Sequence, residues 1–216
     1  MPDVPHQTRI LPVGDPQSLA LAGVLLGQGA VIAFPTDTVY GLGCTYAQPG
    51  AVEQLYTIKQ RPLSMAIPLL VASQDQVEHL AADLNDTFRT LAAHFWPGEL
   101  TLVVHRHPSI PDIITAGGDT VALRMPNHAG ARKLCRMAGG ALAATSANLS
   151  GEPAGTTAEE VSHSLAGRIP LILDGGRCPG GVASTIIDCI AQPPRILRLG
   201  NLKLDVLQKL VPTLTA

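Results

Sequence analysis

A chain of 216 residues with 46% hydrophobic residues carries enough apolar side chain to bury one large core. A formal net charge of -2 gives no global field for a long phosphate backbone, and 3% aromatics leave few platforms for stacked bases, which argues against a dedicated nucleic-acid binder. No apolar run approaches the roughly 20 residues of a membrane span. Cys44, Cys135, Cys178 and Cys189 form no C-x-x-C pair, so a cytoplasmic protein with reduced thiols, no membrane contact and no structural metal is expected.

Residues 1–14 lack periodicity and read as a lead-in with one extended piece at Arg9-Ile10-Leu11, 15–200 as one continuous domain, and 201–216 as a C-terminal helix and tail. Asp15-Pro16 places an N-cap before a proline at the first helical position, opening a helix to Gly27 or Gly29. Ala30 to Phe34 is an apolar strand, and Pro35 to Gly43 follows as a loop of hydroxyls and glycines. Pro49 starts a helix that closes at Lys59-Gln60-Arg61-Pro62, because the Pro62 ring drives Arg61 out of the helical region. A strand over 66–72 leads to Ser73 and Gln76, a capping-box spacing for a further helix, and another helix covers 86–95.

Glu99 to His105 reads as a strand, 108–118 as a loop, and Thr120 to Met125 as a strand that Arg124 interrupts. Asn127 is the expected cap of a helix to Met137. The apolar run 140–144 then breaks into Thr145-Ser146-Ala147-Asn148-Leu149-Ser150-Gly151, the polar ending of a strand that feeds a ligand crevice. Thr157 and Glu160 form a second capping box for a helix to Leu165. Strands over 170–174, 184–188 and 195–199 and a helix over 202–210 complete an α/β domain with a mixed sheet.

Several of these elements end in Thr, Ser, Asn, Lys or Arg, and no Ser-His-Asp order, carboxylate pair or H-E-x-x-H accompanies them. His105 and His107 find no third metal ligand. The chemistry to expect is therefore positioning and charge stabilisation, the means by which phosphoryl and nucleotidyl transfers are accelerated.

Phe34-Pro35-Thr36-Asp37-Thr38-Val39-Tyr40-Gly41-Leu42-Gly43, Lys59-Gln60-Arg61-Pro62, Trp96-Pro97-Gly98, Val121-Ala122-Leu123-Arg124, Ser146-Ala147-Asn148-Leu149-Ser150-Gly151, Ser184-Thr185-Ile186-Ile187-Asp188 and Ile196-Leu197-Arg198 occur in register. Over residues 15–200 that series resembles the YrdC-like threonylcarbamoyl-AMP synthase family, in its short single-domain form. The resemblance implies a twisted mixed sheet with flanking helices around a large open cavity. It also implies a reaction of L-threonine, bicarbonate and ATP, with Mg2+, to threonylcarbamoyl-AMP and pyrophosphate. The product would feed a tRNA threonylcarbamoyl transferase complex for t6A modification; direct contact with tRNA stays open.

Three anionic groups would meet in such a cavity, which assigns Lys59 and Arg61 to the triphosphate and the planar fork of Arg124 to the threonine carboxylate. By motif position Thr38, Ser146 and Ser184 resemble threonine contacts, and Thr120, Asn148, Thr156 and Arg198 nucleotide contacts, with Lys59, Arg61, Ser146 and Asn148 as the catalytic group. Met65 and Leu70 stand where many relatives carry polar side chains. The glycine-rich loop 175–181 and the segment 151–157 are the candidate lids. Three rivals remain at this point: a carbamoyl-adenylate-forming paralogue that uses carbamoyl phosphate, a non-catalytic RNA-binding module, and a paralogue with the fold but no synthase activity.

Overall fold

Ten strands make one mixed sheet in the computed structural model, which describes residues 7–215. In chain order they are β1 (Arg9–Pro12), β2 (Ile32–Phe34), β3 (Gly41–Thr45), β4 (Leu69–Val71), β5 (Leu100–His105), β6 (Thr120–Arg124), β7 (Ala141–Ser146), β8 (Leu171–Asp174), β9 (Thr185–Asp188) and β10 (Arg195–Arg198). Across the sheet the order is β1-β8-β2-β3-β7-β4-β6-β5-β9-β10. β8 pairs parallel with β1 and β2, β4 with β6 and β5 with β9, whereas the remaining neighbours are antiparallel.

Among the described residues seven α-helices flank it: α1 (Pro16–Gly27), α2 (Pro49–Lys59), α3 (Asp86–Phe95), α4 (Asp112–Thr115), α5 (Ala129–Met137), α6 (Ala158–Leu165) and α7 (Leu204–Leu210). The expected caps of α1 and α6 are made: Asp15 accepts from the Ser18 N–H at 2.9 Å, and Thr157 Oγ1 from the Glu160 N–H at 3.2 Å. The Glu160 carboxylate reaches the N–H of Thr156 instead of Thr157, one residue off the reciprocal box.

The extended piece expected at Arg9-Ile10-Leu11 is the edge strand Arg9–Pro12, paired with β8, and residues 1–6 of the lead-in lie outside the described residues. The expectations fail in four places. Within the segment read as a loop over 35–43, Gly41 opens the buried strand β3; a Cβ on Gly43 would stand 2.8 Å from the Ala143 carbonyl oxygen, so glycine serves close strand approach here rather than a turn. Ser73 and Gln76 cap no α-helix. Gln76 Oε1 instead accepts the Ala72 N–H at 3.0 Å, and only a 3-10 turn, Val77–His79, follows. The loop 108–118 contains α4. His128, not Asn127, caps α5, its Nδ1 accepting the Ala131 N–H at 3.1 Å.

The two faces of the sheet bury two cores. On one face Ala33, Leu42, Leu69, Ala143, Leu123, Leu102 and Ile187 pack with Val52 and Leu55 of α2, Phe88 and Leu91 of α3 and Val161 of α6. On the other, Ile32, Phe34, Leu142, Leu171 and Leu173 pack with Leu19 and Leu26 of α1 and Leu134 of α5. That second core stops at Leu70 of β4. Beyond it, the same face of β6, β5 and β9 presents Arg124, Ala122, Thr101, Val103 and Ile186, and these line a cavity. The site therefore lies where α1 and α5 cease to cover the sheet.

Candidate functional site

The cavity has a volume of about 380 Å³. Its floor is apolar, from Leu70, Val103, Ala122, Ala144 and Ile186, and its walls carry Lys59, Arg61, Arg124 and Arg198 among threonine and serine hydroxyls. Alternation along the strands explains the mixture: Val121 and Leu123 of β6 face the first core, which turns Thr120, Ala122 and Arg124 to the cavity. The arginine that broke the apolar pattern is thus the cavity-facing half of a regular strand.

Lys59 ends α2, and Gln60 follows at φ 53°, a left-handed cap that turns the chain away before Pro62. Lys59 is 4% exposed. It donates to Ser146 O at 2.7 Å, Asn148 O at 3.0 Å, Asn148 Oδ1 at 3.0 Å and, more weakly, Ser146 Oγ at 3.3 Å. Burial, reinforced by the charge of Arg61, pushes its pKa down to about 8. Arg61 folds over the following turn, Nε donating to Met65 O at 3.0 Å and Nη2 to Ala66 O at 2.8 Å. Tyr56 donates its hydroxyl to the same Met65 carbonyl at 2.8 Å, so the part of Met65 that this wall uses is its backbone.

Arg124 is held on three sides. Nε donates to Gly98 O at 3.0 Å, Nη1 to Thr38 Oγ1 at 2.9 Å and Nη2 to Asp37 Oδ1 at 2.5 Å. Burial lowers its pKa while Asp37 opposes the shift. Arg198 donates through Nε and Nη2 to Ser184 O at 3.0 and 2.8 Å and through Nη2 to Ser184 Oγ at 3.2 Å. Burial and the charge of Arg124 lower its pKa as well.

Of the residues singled out in the sequence, Thr38, Lys59, Arg61, Thr120, Arg124, Ser146, Ser184 and Arg198 converge on the one cavity. Asn148 stands behind Lys59 as its oxygen partner. Thr156 is not on the wall; its hydroxyl bonds Glu160 Oε2 at 2.9 Å and Arg177 Nη1 at 2.6 Å beside the start of α6. The loop 175–181 is anchored next to the site, with Gly181 N donating to Thr38 O and Cys178 N to Thr156 O, both at 2.8 Å. Sequence reasoning missed Thr36, Thr101 and Asp37. For Thr101 a signal existed, a hydroxyl at every-other spacing within the apolar run Leu100-Thr101-Leu102-Val103.

A twisted mixed α/β sheet with a cation-walled cavity on one face defines the class, a fold suited to holding small anionic ligands. The Sua5/YciO/YrdC family model, described as telomere recombination, matches residues 24–200, and the chain belongs to that family. It is 41% identical over 193 residues to the threonylcarbamoyl-AMP synthase of Pyrococcus abyssi (strain GE5 / Orsay), covering 89% of this chain and 57% of that protein. It is 42% identical over 202 residues to the threonylcarbamoyl-AMP synthase of Bacillus subtilis (strain 168), covering 93% of this chain and 58% of that protein. The chain thus spans less than three fifths of the length of these two relatives. The crystal structure of P. abyssi Sua5 complexed with L-threonine superposes with a TM-score of 0.93 at 38% identity, covering 97% of this chain and 63% of that one. No helix among the described residues is long and apolar enough to cross a membrane.

Proposed function

We propose that this chain is a threonylcarbamoyl-AMP synthase, condensing L-threonine, bicarbonate and ATP to threonylcarbamoyl-AMP and pyrophosphate in the cytoplasm. The observation that carries the reading is the convergence of four cations and a set of hydroxyls on one cavity, in a chain similar over most of its length to two proteins named for that activity. The solved relative with L-threonine supports the amino-acid half of it.

The chemistry joins three anions. The threonine amine and bicarbonate give a carbamate with loss of water; a carbamate oxygen then attacks the α-phosphorus, a P–O bond forms, and the bond to the leaving pyrophosphate breaks. Charge repulsion among these groups is the barrier that wall cations lower. Arg61 and Arg198 face the nucleotide, with Thr120 as a hydroxyl partner, and Arg124 directs its remaining N–H groups at the threonine carboxylate beside Thr38 and Ser184. Lys59 holds the main chain of Ser146 and Asn148, so in this account it shapes the loop after β7 and adds charge from behind. Thr156 contributes through the segment that carries it.

Among the described residues there is no cluster of three or more His, Cys, Asp or Glu suited to a metal. A Mg2+ ion brought in with ATP would supply Lewis-acid charge at the triphosphate, beside the cations of Arg61 and Arg198. The product is a labile mixed anhydride, whose consumer would be a transferase acting on tRNA adenosine.

The test is pyrophosphate release by the purified chain with ATP and Mg2+. Release that requires both L-threonine and bicarbonate is the expected result. Release with carbamoyl phosphate in their place, or none under any combination, refutes the reading.

A further inference from the structure

The hydroxyls in the cavity wall fall into two pairs whose protons can be counted. Thr36 Oγ1 donates to Val39 O at 2.7 Å and accepts the Thr38 N–H at 3.1 Å. Its one proton is thereby committed, so the 3.0 Å contact between Thr36 Oγ1 and Thr38 Oγ1 is a bond that Thr38 donates. Thr38 Oγ1 in turn accepts from Arg124 Nη1 at 2.9 Å. What Thr38 has left for a ligand is a lone pair.

The second pair has the opposite sense. Thr101 Oγ1 and Ser184 Oγ lie 2.7 Å apart, and Arg198 Nη2 donates to Ser184 Oγ at 3.2 Å. Two hydroxyls carry two protons; one bridges the pair, and the other has no acceptor among the hydrogen bonds of the described residues. Both side chains are buried, Thr101 at 2% and Ser184 at 6% exposure, and both line the cavity. A buried donor with no acceptor is costly, and a ligand oxygen removes that cost. Without Thr101, the Ser184 hydroxyl would lose the partner that fixes its rotation.

We propose that Thr36 and Thr101 are positioning residues: Thr36 makes Thr38 a fixed acceptor, and Thr101 together with Arg198 makes the Ser184 pair a fixed donor to an oxygen of the bound amino acid. The proposal rests on the reading of the cavity as a threonine site. The oxygen is the side-chain hydroxyl or the carboxylate, and the same experiment separates them. A ligand that presents only N–H or C–H groups to the Ser184 pair is selected against.

The experiment measures calorimetric binding of L-threonine and L-valine, and pyrophosphate release, for the wild type, Thr101→Val and Thr101→Ser, with Thr101→Ala in reserve should the valine variant not fold. Thr101→Val is expected to weaken threonine binding about fivefold to tenfold with an unchanged KM for ATP, and Thr101→Ser to restore it to within about twofold. Equal weakening of threonine and valine places the carboxylate on the donor, and weakening of threonine alone places the hydroxyl there; either result supports the relay. Wild-type threonine affinity in Thr101→Val, or a folded Thr101→Ser as weak as the valine variant, overturns it. A wild type that binds no threonine overturns the proposed function and this relay together, whereas an active wild type with an indifferent Thr101→Val overturns the relay alone.

Discussion

Asp37 and Arg124 form a buried ion pair in which Oδ1 of the carboxylate takes Arg124 Nη2 and Oδ2 is left without a hydrogen-bond partner. Removing one member of such a pair strands the other charge in a poorly solvated place, a change that costs about 3–5 kcal/mol. Asp37→Ala is expected to lose stability on that scale. Asp37→Ala with Arg124→Ala should lose less than the sum of the two single changes, as read from urea midpoints. Additive losses would show that the pair is not coupled.

Lys59 gives a pH dependence with opposite signs for activity and stability. Its folded pKa of about 8 lies below the ordinary 10.5, so the unfolded chain holds the proton more tightly. The stability this group contributes is absent below pH 8 and grows between about pH 8 and 10.5, by roughly 3 kcal/mol at most. Over the same window the ammonium clamp on Ser146 and Asn148 weakens. The expected result is a kcat/KM for ATP that falls above about pH 8 in the wild type, with the limb moved upward in Lys59→Arg. An identical profile in the two proteins counts against the assignment.

Arg61→Ala is expected to reduce pyrophosphate release by about a hundredfold or more, since it withdraws charge from the leaving group. It also frees the Met65 and Ala66 carbonyls that the guanidinium ties down. Those carbonyls lie in an exposed turn, so the thermal midpoint should move by only a few degrees. Turnover at the wild-type rate would remove Arg61 from the nucleotide site.

Gly180 tests the loop beside the site. A Cβ there would stand 2.9 Å from Asp37 O and from Thr38 Cα, both main-chain atoms that cannot swing aside. Gly180→Ala should displace the loop, lengthen the contact of Gly181 N with Thr38 O, and raise the threonine KM more than the ATP KM. Equal changes in both, or none, would show that the loop does not set the position of Thr38. If the loop is a lid as well, ATP should protect 175–181 from limited proteolysis.

Much of this was legible in the sequence because the signals were local. Asp15-Pro16 and Thr157 announced their helices through caps, and Arg124 announced the cavity face of β6 by breaking an apolar alternation. β3 was hidden because its glycines carry a turn's composition, and only the nearness of the Ala143 carbonyl, a contact across 100 residues, shows why no side chain fits at Gly43. Thr101 and Thr36 were passed over for a related reason. A threonine in a strand reads as ordinary β composition until Ser184 or Thr38 is placed beside it. The four-way bonding of Lys59 was equally invisible, since a lysine near a helix C-terminus satisfies the macrodipole without any partner.

The carbonyl oxygens that hold Lys59, Arg61 and Arg198 have a further consequence. Dipoles fix a cation in place without cancelling its charge, and among the described residues none of these three has a carboxylate within ion-pair distance. Arg61 works against the charge on Lys59, and Arg124 against that on Arg198. Like charges therefore press on one another along the cavity wall of a chain whose overall charge is slightly negative. A polyanion bound there would offset that repulsion and stabilise the folded state in proportion to its affinity.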